Sequence, residues 1–258
     1  HLGPGQQAHA LQLLASAVHA LQAKSHGWDE GNKLADALFS HFAHDYQEVR
    51  KAVCETLVEW EWTWLRPSLK SVPELLAHSR NTHGSLLAHS DVMRQRCEAL
   101  QKQLRSWRAQ RQPLAYGTSK YDVIASTGAL WVCLCLDDHR LGPMSTYVLS
   151  LVPDLFEAFQ LRDNEELSET AHDVLVQVAS HPFSVAQVPV LLEALLDILR
   201  RSESWHSRLD ALPLLQIVYF QNLYLLSHDM KRCILDVLCS LLHDPHVEVR
   251  DMAATTLA

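Results

Sequence analysis

The sequence is poor in the two residues that interrupt helices, with 8 glycines and 10 prolines among 258 residues. Leucine and alanine are abundant instead, and both are among the best helix formers. No stretch reaches eighteen consecutive apolar residues, so the usual signature of a membrane-spanning helix is absent. No alternation of apolar and polar residues indicates β-strands. The sequence therefore predicts an all-α fold.

The chain also lacks an excess of positive charge. Its formal net charge is −8 and its pI is about 6.0. This balance argues against direct binding of nucleic acid or of an anionic membrane. The first residues, His1 to Gly5, contain no charged segment of a signal peptide. Because the chain starts with His and reaches Ala258 inside a helical pattern, we expect a fragment truncated at both ends.

Cysteine is sparse, and no two cysteines form a C-x-x-C pair. Each cysteine has apolar or helical neighbours, and a secreted disulfide scaffold would be shorter and richer in cysteine. We therefore predict six buried free thiols in a reducing compartment. The six are Cys54, Cys97, Cys133, Cys135, Cys233 and Cys239.

Motifs of catalytic and metal sites are missing. His41 and His44, and likewise His243 and His246, have the spacing of metal ligands. No second matching pair completes the four ligands that a structural zinc site needs. Neither a G-x-S-x-G nucleophile motif nor a G-x-x-x-x-G-K-[ST] phosphate loop occurs. We predict no catalytic site, no metal site and no cofactor.

Two stretches of the chain repeat each other. Glu48-Val49-Arg50 is followed by Thr56-Leu57, and Glu248-Val249-Arg250 is followed by Thr256-Leu257, at an offset of 200 residues. That offset equals five units of about 40 residues, close to the period of HEAT and armadillo repeats. The pattern predicts an α-solenoid of stacked antiparallel helix pairs over residues 1–258. The alternative is irregular helical packing.

Weaker copies of the pattern appear between these two stretches. Arg208 lies 42 residues before Arg250, and Ser168 holds the arginine position one unit earlier. A further helix begins near Tyr121. The copy of the repeat expected near residues 80–89 is not recognisable, because the long segment Leu86 to Gln112 interrupts the spacing.

Five residues define the predicted repeat ladder. In the HEAT pattern, the arginine in the first turn of the second helix reaches an acid of the neighbouring repeat. We therefore assign structural roles to Arg50, Arg208 and Arg250, and we expect Asp45 and Asp244 to cap the second helix of their pairs.

The segment from Met93 to Gln112 is locally basic. On a helix, Lys102, Arg105 and Arg108 share roughly one face, which fits a polyanion or an acidic protein partner. The alternative is a solvated face of a long helix, which is the commoner use of such charge runs.

Three tryptophans follow the first arginine of the ladder. Because alternate residues of a helix point about 200° apart, Trp60, Trp62 and Trp64 cannot all face one core. We expect at least one of them to pack on a neighbouring repeat or on a partner.

The segment Leu241 to Leu257, and above all its run Val-Arg-Asp-Met-Ala-Ala-Thr-Thr-Leu, resembles the proteasome activator complex subunit 4 family. Members of this family are large single-chain HEAT-repeat activators of the core proteasome. Val218 to Leu223 is similar to the aromatic-Asn-Leu helix that precedes this repeat in the family. The rest of the chain fits in helical character and repeat spacing.

The resemblance implies a non-catalytic regulator that caps the core proteasome and promotes the passage of peptides into it. It also implies binding of acetylated histones, roles in DNA repair and spermatogenesis, and a location in nucleus and cytoplasm. Residues from about 202 to 258 would begin the family's bromodomain-like region. The family's acetyl-lysine Asn-Phe pair lies beyond the position of Ala258, and its Tyr-Tyr-Ala tail is absent from these residues, which end in Thr-Leu-Ala within a helix. We therefore expect these residues alone neither to stimulate peptide hydrolysis nor to bind acetylated histone tails well.

Two other functions remain open from the residues alone. A HEAT-repeat scaffold or nuclear transport receptor would bind protein cargo and would carry acidic inner faces. An unrecognised hydrolase would be found by broad substrate profiling.

Overall fold

The computed structural model describes residues 3–7, 9–11, 33, 36–65, 93–112, 119–137 and 145–258. Within these ranges the chain forms helices and turns, without β-strand. The predicted all-α fold class is therefore confirmed. No helix in this described part is both long and apolar enough to cross a membrane. The chain divides into two compact units, His1–Tyr147 and Val148–Ala258.

Among the described residues of the first unit, α1 (Gln47–Leu65) and α2 (Lys120–Asp137) pack against each other. Residues 36–40 and 93–110 are also helical. Each long helix follows one of these stretches, as expected for the second helix of a pair.

The core of the first unit forms around Trp131 of α2, which is fully buried. Leu38 and Phe42, two members of an apolar stripe at helical spacing, are each 1% exposed. The ring of Phe42 lies edge-on to Trp131 at a centroid distance of 5.7 Å, a favourable aromatic geometry. The side chains of Trp60, Trp62 and Trp64, for which we expected a contact beyond the core, lie outside the described residues.

The second unit consists of three consecutive helix pairs, preceded by a 3₁₀ helix at Ser145–Leu151. The pairs are α3 (Val152–Phe159) with α4 (Glu165–Ser180), α5 (Gln187–Arg201) with α6 (Trp205–Gln221), and α7 (His228–Leu241) with α8 (Val247–Leu257).

These three pairs stack as two layers. The first helices form one layer, in which α5 packs on α3 and on α7, and the second helices form the other, in which α6 packs on α4 and on α8. The sequence of α5 shows the cause, because Leu191, Leu195 and Leu199 recur on one face and are at most 2% exposed. One pair cannot bury such a stripe alone, so neighbours share a continuous core. This stacking confirms the predicted α-solenoid class.

Side-chain caps fix where three of the helices begin. Asn164, Ser204 and Ser227 precede α4, α6 and α7, and each accepts a hydrogen bond from the amide three residues later. The distances are 3.1, 3.4 and 3.2 Å. Each cap satisfies an amide that has no partner inside the helix, and such caps stabilise a helix by about 1 kcal/mol.

The spacing of the second helices follows the predicted repeat over most of the chain. They begin at Gln47, Lys120, Glu165, Trp205 and Val247, so that successive starts are 73, 45, 40 and 42 residues apart. The last three intervals match the HEAT period. The first interval contains residues 66–92, so the copy expected in the 80s lies outside the described residues.

Candidate functional site

In four helix pairs, the fourth residue of the second helix closes the preceding turn. Arg50, Ser168, Arg208 and Arg250 each donate a side-chain hydrogen bond of 2.6–2.7 Å to a backbone carbonyl of that turn or of the helix end before it. For the three arginines, the acceptor lies six residues earlier in the chain. Carbonyls at a helix end have no partner within the helix, so these turn-closing residues supply one.

Arg208 also joins two neighbouring pairs. Its Nε lies 2.7 Å from Asp244 Oδ2, and its Nη2 lies 3.2 Å from Asp244 Oδ1. Arg208 belongs to α6, whereas Asp244 lies in the turn between α7 and α8. The two side chains are only 12% and 5% exposed. Two of the five ladder residues thus pair through their side chains, in a bidentate geometry that strengthens such pairs.

Asp244 does not cap the first turn of α8, contrary to the expectation from sequence. Its Oδ1 accepts from the amide of His246, the N-cap residue, at 2.9 Å, and the side chain of His246 makes no capping hydrogen bond. Burial raises the pKa of Asp244, but the hydrogen bonds from Arg208 and from the His246 amide outweigh it and lower the pKa below its usual value.

The other ladder arginines bind only their own turns among the contacts of the described chain. Arg250 donates to the carbonyls of Asp244 and Pro245, at 2.7 and 3.1 Å. Arg50 donates to the carbonyls of His44 and Asp45, at 2.7 and 3.2 Å. The expectation that Arg250 pairs with an acid of an adjacent repeat stays a prediction, because the acid that Arg208 meets lies 36 residues later in the chain, which for Arg250 is beyond residue 258.

The structure contains a second buried ion pair, between Arg111 and Asp122, that the sequence did not predict. Arg111 Nε lies 2.7 Å from Asp122 Oδ1, and Nη2 lies 3.3 Å from Oδ2, with the side chains 5% and 4% exposed. Asp122 and Ser119 also exchange backbone-to-side-chain hydrogen bonds at the start of α2. Burial raises the pKa of Asp122, and the hydrogen bonds from Arg111 and Ser119 outweigh it, so the pKa is lowered. The sequence held one signal, since Ser119-x-x-Asp122 is a capping-box pattern.

The three residues of the predicted basic face differ in exposure: two side chains face solvent and one contacts a neighbouring ring. Lys102 and Arg105 are exposed. Arg108 is half-buried, and its guanidinium carbon lies 5.5 Å from the centroid of the Tyr121 ring, within cation–π distance. Arg96, in the same basic segment, forms an ion pair with Asp36. A role of Lys102 and Arg105 toward an acidic partner remains a prediction.

The histidines with metal-like spacing make local aromatic contacts. The rings of His41 and His44 stack at a centroid distance of 5.9 Å, and His246 stacks on Trp205 at 5.0 Å. Over the ranges that the structure describes, no three His, Cys, Asp or Glu side chains gather where they could hold a metal ion.

The cysteines are free thiols, but they are not uniformly buried. Burial raises the pKa of the Cys54 thiol, whose Sγ lies 3.7 Å from the Thr127 carbonyl oxygen. Cys239 is exposed, so the expectation of burial is wrong for this residue, which lies on the outer side of α7. Cys54, Cys97 and Cys135 are buried, whereas Cys133 and Cys233 are intermediate.

A groove of about 450 Å³ lies among α6, α7 and the end of α8. We call it the C-terminal groove. Its apolar lining comes from all three helices and includes Leu215, Phe220, Ile234, Leu235, Leu238 and Leu257.

Two cationic side chains, Lys231 and Arg232, accompany this apolar lining, together with the polar residues Gln216, Tyr219, His228 and Thr256. His228, Lys231 and Arg232 line the groove from α7. No carboxylate side chain is found among its lining residues. Asn222, the C-cap residue of α6, is 4% exposed and donates to the Val218 carbonyl at 2.9 Å.

The HEAT repeat family matches residues 234–258. This range contains most of α7 and all of α8, the pair whose turn holds Asp244. The match agrees with the stacked helix pairs and with the positions of the turn-closing residues.

Several relatives carry the same name. The chain is 37% identical over 116 residues to proteasome activator complex subunit 4A of Danio rerio. It is 34% and 32% identical, each over 121 residues, to proteasome activator complex subunit 4 of Homo sapiens and of Xenopus laevis. These alignments cover 43–44% of the chain but only 6% of each relative. The resemblance predicted from the C-terminal sequence is confirmed.

Proposed function

We propose that the protein containing this chain is a non-catalytic regulator that binds the core proteasome and promotes the passage and degradation of peptides. The similarity to relatives named proteasome activator complex subunit 4, at 32–37% identity, carries this proposal. The stacked helix pairs agree with it, because solenoids act by presenting extended surfaces to macromolecules. A general HEAT-repeat scaffold or transport receptor would share the fold but would not account for the name that these relatives share.

The test uses the full-length natural protein that contains these residues, isolated through a tag. We expect it to migrate with purified core proteasome on a native gel and to raise hydrolysis of a fluorogenic peptide. Core proteasome blocked by a covalent active-site inhibitor is the matched control, and with it the signal should vanish. Separate migration, or hydrolysis that persists with the blocked proteasome, would overturn the proposal.

We also propose that the full-length protein binds acetylated histones. Recognition of acetyl-lysine needs an apolar slot and a donor for the acetamide oxygen. Asn222 is 4% exposed and donates to the Val218 carbonyl, so its burial keeps the amide from a bound acetamide. We expect an acetylated histone H4-tail peptide to bind residues 1–258 at least about tenfold more weakly than a natural product extended through an Asn-Phe pair. Equal affinities would show that the donor already lies within these residues.

The proposed cellular setting is the nucleus and the cytoplasm, with roles in DNA repair and spermatogenesis. Fractionation of cells, followed by detection of the tagged natural protein, tests the location. Recovery from membranes or from the culture medium alone would contradict it.

A further inference from the structure

His206 lies in the first turn of α6, where this helix meets the turn between α3 and α4. Its Nε2 lies 3.4 Å from Nη2 of Arg162, a residue of that turn. Its ring stacks on the ring of Trp205 at a centroid distance of 3.7 Å. Asp210, four residues later on α6, interacts with it electrostatically. His206 therefore has a permanent cation of one helix pair on one side and a carboxylate of its own helix on the other.

The contact with Arg162 identifies the protonation state of His206 in this arrangement. A guanidinium group carries only donors and stays protonated, so His206 Nε2 is the acceptor of the 3.4 Å contact. An imidazole that accepts at Nε2 is neutral and carries its proton on Nδ1. Histidine is also the side chain that changes its charge between pH 5 and 8. Protonation of His206 would remove the acceptor and would leave two cations side by side.

Asp210 is a half-buried carboxylate without a permanent counter-ion. Its Oδ2 accepts from Gln160 Nε2 at 3.0 Å, and among the described residues no lysine or arginine forms an ion pair with it. Burial raises the pKa of Asp210, and the hydrogen bond from Gln160 offsets this rise only in part. The charges that act on Asp210 come from His206 and from His172 on α4, and both favour its ionised form. Its carboxylate is therefore stabilised when these imidazoles are protonated.

The other charged side chains on the helices packed against α6 have partners of their own or are exposed. Those with partners are Arg200 with Cys233 Sγ, Arg201 with Asp197, Asp173 with His172, and Arg250 with its own turn. The exposed carboxylates are Glu165, Glu166, Glu169, Glu193, Glu248 and Asp251. On α6 itself, Arg208 pairs with Asp244. None of these groups is among the charges that act on Asp210.

We propose that Arg162, His206 and Asp210 form a pH-sensitive switch at the junction of the α3–α4 and α5–α6 pairs. Neutral His206 accepts the hydrogen bond from Arg162 and thereby links the two pairs. Protonated His206 releases Arg162 and directs its charge to Asp210, at the i, i+4 spacing that favours ion pairs on a helix. The stacked face of Trp205 favours the cation as well. Acidification thus replaces a contact between pairs by a contact within α6, independently of any action on the proteasome.

The first test compares the cost of Arg162→Ala at about pH 8 and at about pH 5.5, on either side of the usual range of histidine titration. Urea unfolding of the 258-residue chain measures this cost. At the higher pH the variant should raise the unfolding equilibrium constant about threefold, because it removes a hydrogen bond that is partly open to solvent. At the lower pH the cost should vanish or reverse, since the imidazolium does not accept and repels the guanidinium.

Two backgrounds show whether His206 causes this pH dependence. The side chain introduced by His206→Gln offers a carbonyl acceptor that does not titrate, so Arg162→Ala should there cost the same at both pH values. His243→Gln is the matched control, because it removes an exposed histidine whose Nδ1 lies 3.3 Å from the Cys239 carbonyl oxygen of its own helix. In that background the pH dependence should remain. Circular dichroism of each variant verifies folding.

The carboxylate is tested separately. Asp210→Asn keeps an acceptor for Gln160 but removes the charge. At about pH 8 it should leave the chain at least as stable as the natural one, because it relieves the burial of an unpaired carboxylate. At about pH 5.5 it should raise the unfolding equilibrium constant about twofold, because it removes the counter-ion of protonated His206.

Nitrogen-15 NMR of the histidine rings reports the neutral state directly, and His206→Gln identifies the His206 signals by their loss. At about pH 8 they should show a protonated Nδ1 and an unprotonated Nε2. Four results would overturn the proposal: a protonated Nε2 at this pH, an equal cost of Arg162→Ala at both pH values, a pH-dependent cost that persists in the His206→Gln background, or an equal effect of Asp210→Asn at both pH values.

Discussion

Removal of the Arg208 guanidinium should destabilise the second unit strongly, because it breaks an ion pair that holds two helix pairs together. In the natural chain the Asp244 carboxylate is 5% exposed, and in Arg208→Ala it keeps only the His246 amide as a hydrogen-bond donor. The carbonyl of Ser202, which accepts from Arg208 Nη1 at 2.6 Å, also loses its side-chain partner. The variant therefore leaves one buried charge and one carbonyl incompletely satisfied.

The expected loss of unfolding free energy is about 3 kcal/mol. Removal of one partner from a buried ion pair costs about 3–5 kcal/mol. We place Arg208→Ala at the lower end because Arg208 is 12% exposed and Asp244 keeps one donor. The matched control is Arg201→Ala, whose guanidinium is 78% exposed and pairs with Asp197 at 3.0 Å within one helix. Loss of such a surface pair costs about 0.3–0.5 kcal/mol.

The assay is urea unfolding followed by far-UV circular dichroism, on a double-mutant cycle of Arg208→Ala and Asp244→Ala. Hydrogen exchange of peptides from α6 to α8 locates the loss in the second unit. We expect the two residues to show a coupling energy of at least about 1.5 kcal/mol, near the middle of the range of about 0.5–3 kcal/mol for residues in contact. A coupling below about 0.5 kcal/mol, or equal loss in Arg208→Ala and Arg201→Ala, would refute the reasoning.

The same pair predicts a dependence on pH. The pKa of Asp244 is lower in the folded chain than in the unfolded chain, where an aspartate has a pKa of about 3.9. The unfolded state therefore binds the proton first on acidification, and the stabilisation is complete above the unfolded pKa. It is lost as the pH falls through the lower, folded pKa. The difference between the natural chain and Asp244→Asn should accordingly be constant from neutral pH to about pH 5 and should shrink below about pH 4.

Three further predictions concern other contacts. Arg250→Ala should lower the urea midpoint more than Lys51→Ala, because Arg250 closes a turn whereas the Lys51 side chain is 61% exposed; equal midpoints would refute the turn-closing role. Asp122→Asn should destabilise the first unit by about 3 kcal/mol at pH 7 and progressively less below about pH 4, since the pKa of Asp122 is lowered; a pH-independent difference in thermal midpoint would contradict this. Under native alkylation, mass spectrometry should find Cys239 labelled well before Cys54, whose burial raises the thiol pKa; equal labelling rates would count against the burial of Cys54.

Helical periodicity predicted the fold class well, because apolar stripes and turn residues act locally. Polar residues mark the turn at residues 202–204, and Asp244 with Pro245 marks the turn at residues 242–246. The turn at residues 222–227 was not predicted. It contains neither glycine nor proline, and its leucines continue the apolar pattern of α6, so no local signal separates it from a helix.

The contacts of the candidate site were only partly predictable, because they depend on how helix pairs stack. The repeat pattern identified Arg208 and Asp244 separately, but their pairing across 36 residues follows from the packing of α6 on α8. Arg111 follows the helical residues 93–110 and is not the fourth residue of a second helix, so the repeat pattern did not predict its pair with Asp122. The C-terminal groove draws its lining from three helices, and no single stretch of sequence shows it.

The two bonds of Arg208 also determine how the second unit comes apart. If the α7–α8 pair unfolds, Arg208 keeps its bond to the Ser202 carbonyl, whereas Asp244 leaves with its own turn. The stability of a solenoid is approximately the sum of the stability of each helix pair and the interaction energy between neighbouring pairs. The Arg208–Asp244 ion pair contributes to that interaction energy only while both neighbouring helix pairs are folded. If the interaction energy between the α5–α6 and α7–α8 pairs is small, the α7–α8 pair unfolds independently of the rest of the second unit. If that interaction energy is large, both pairs unfold in one cooperative transition. The Arg208 guanidinium thus adds to the coupling that the packing of α6 on α8 and of α5 on α7 gives at this junction.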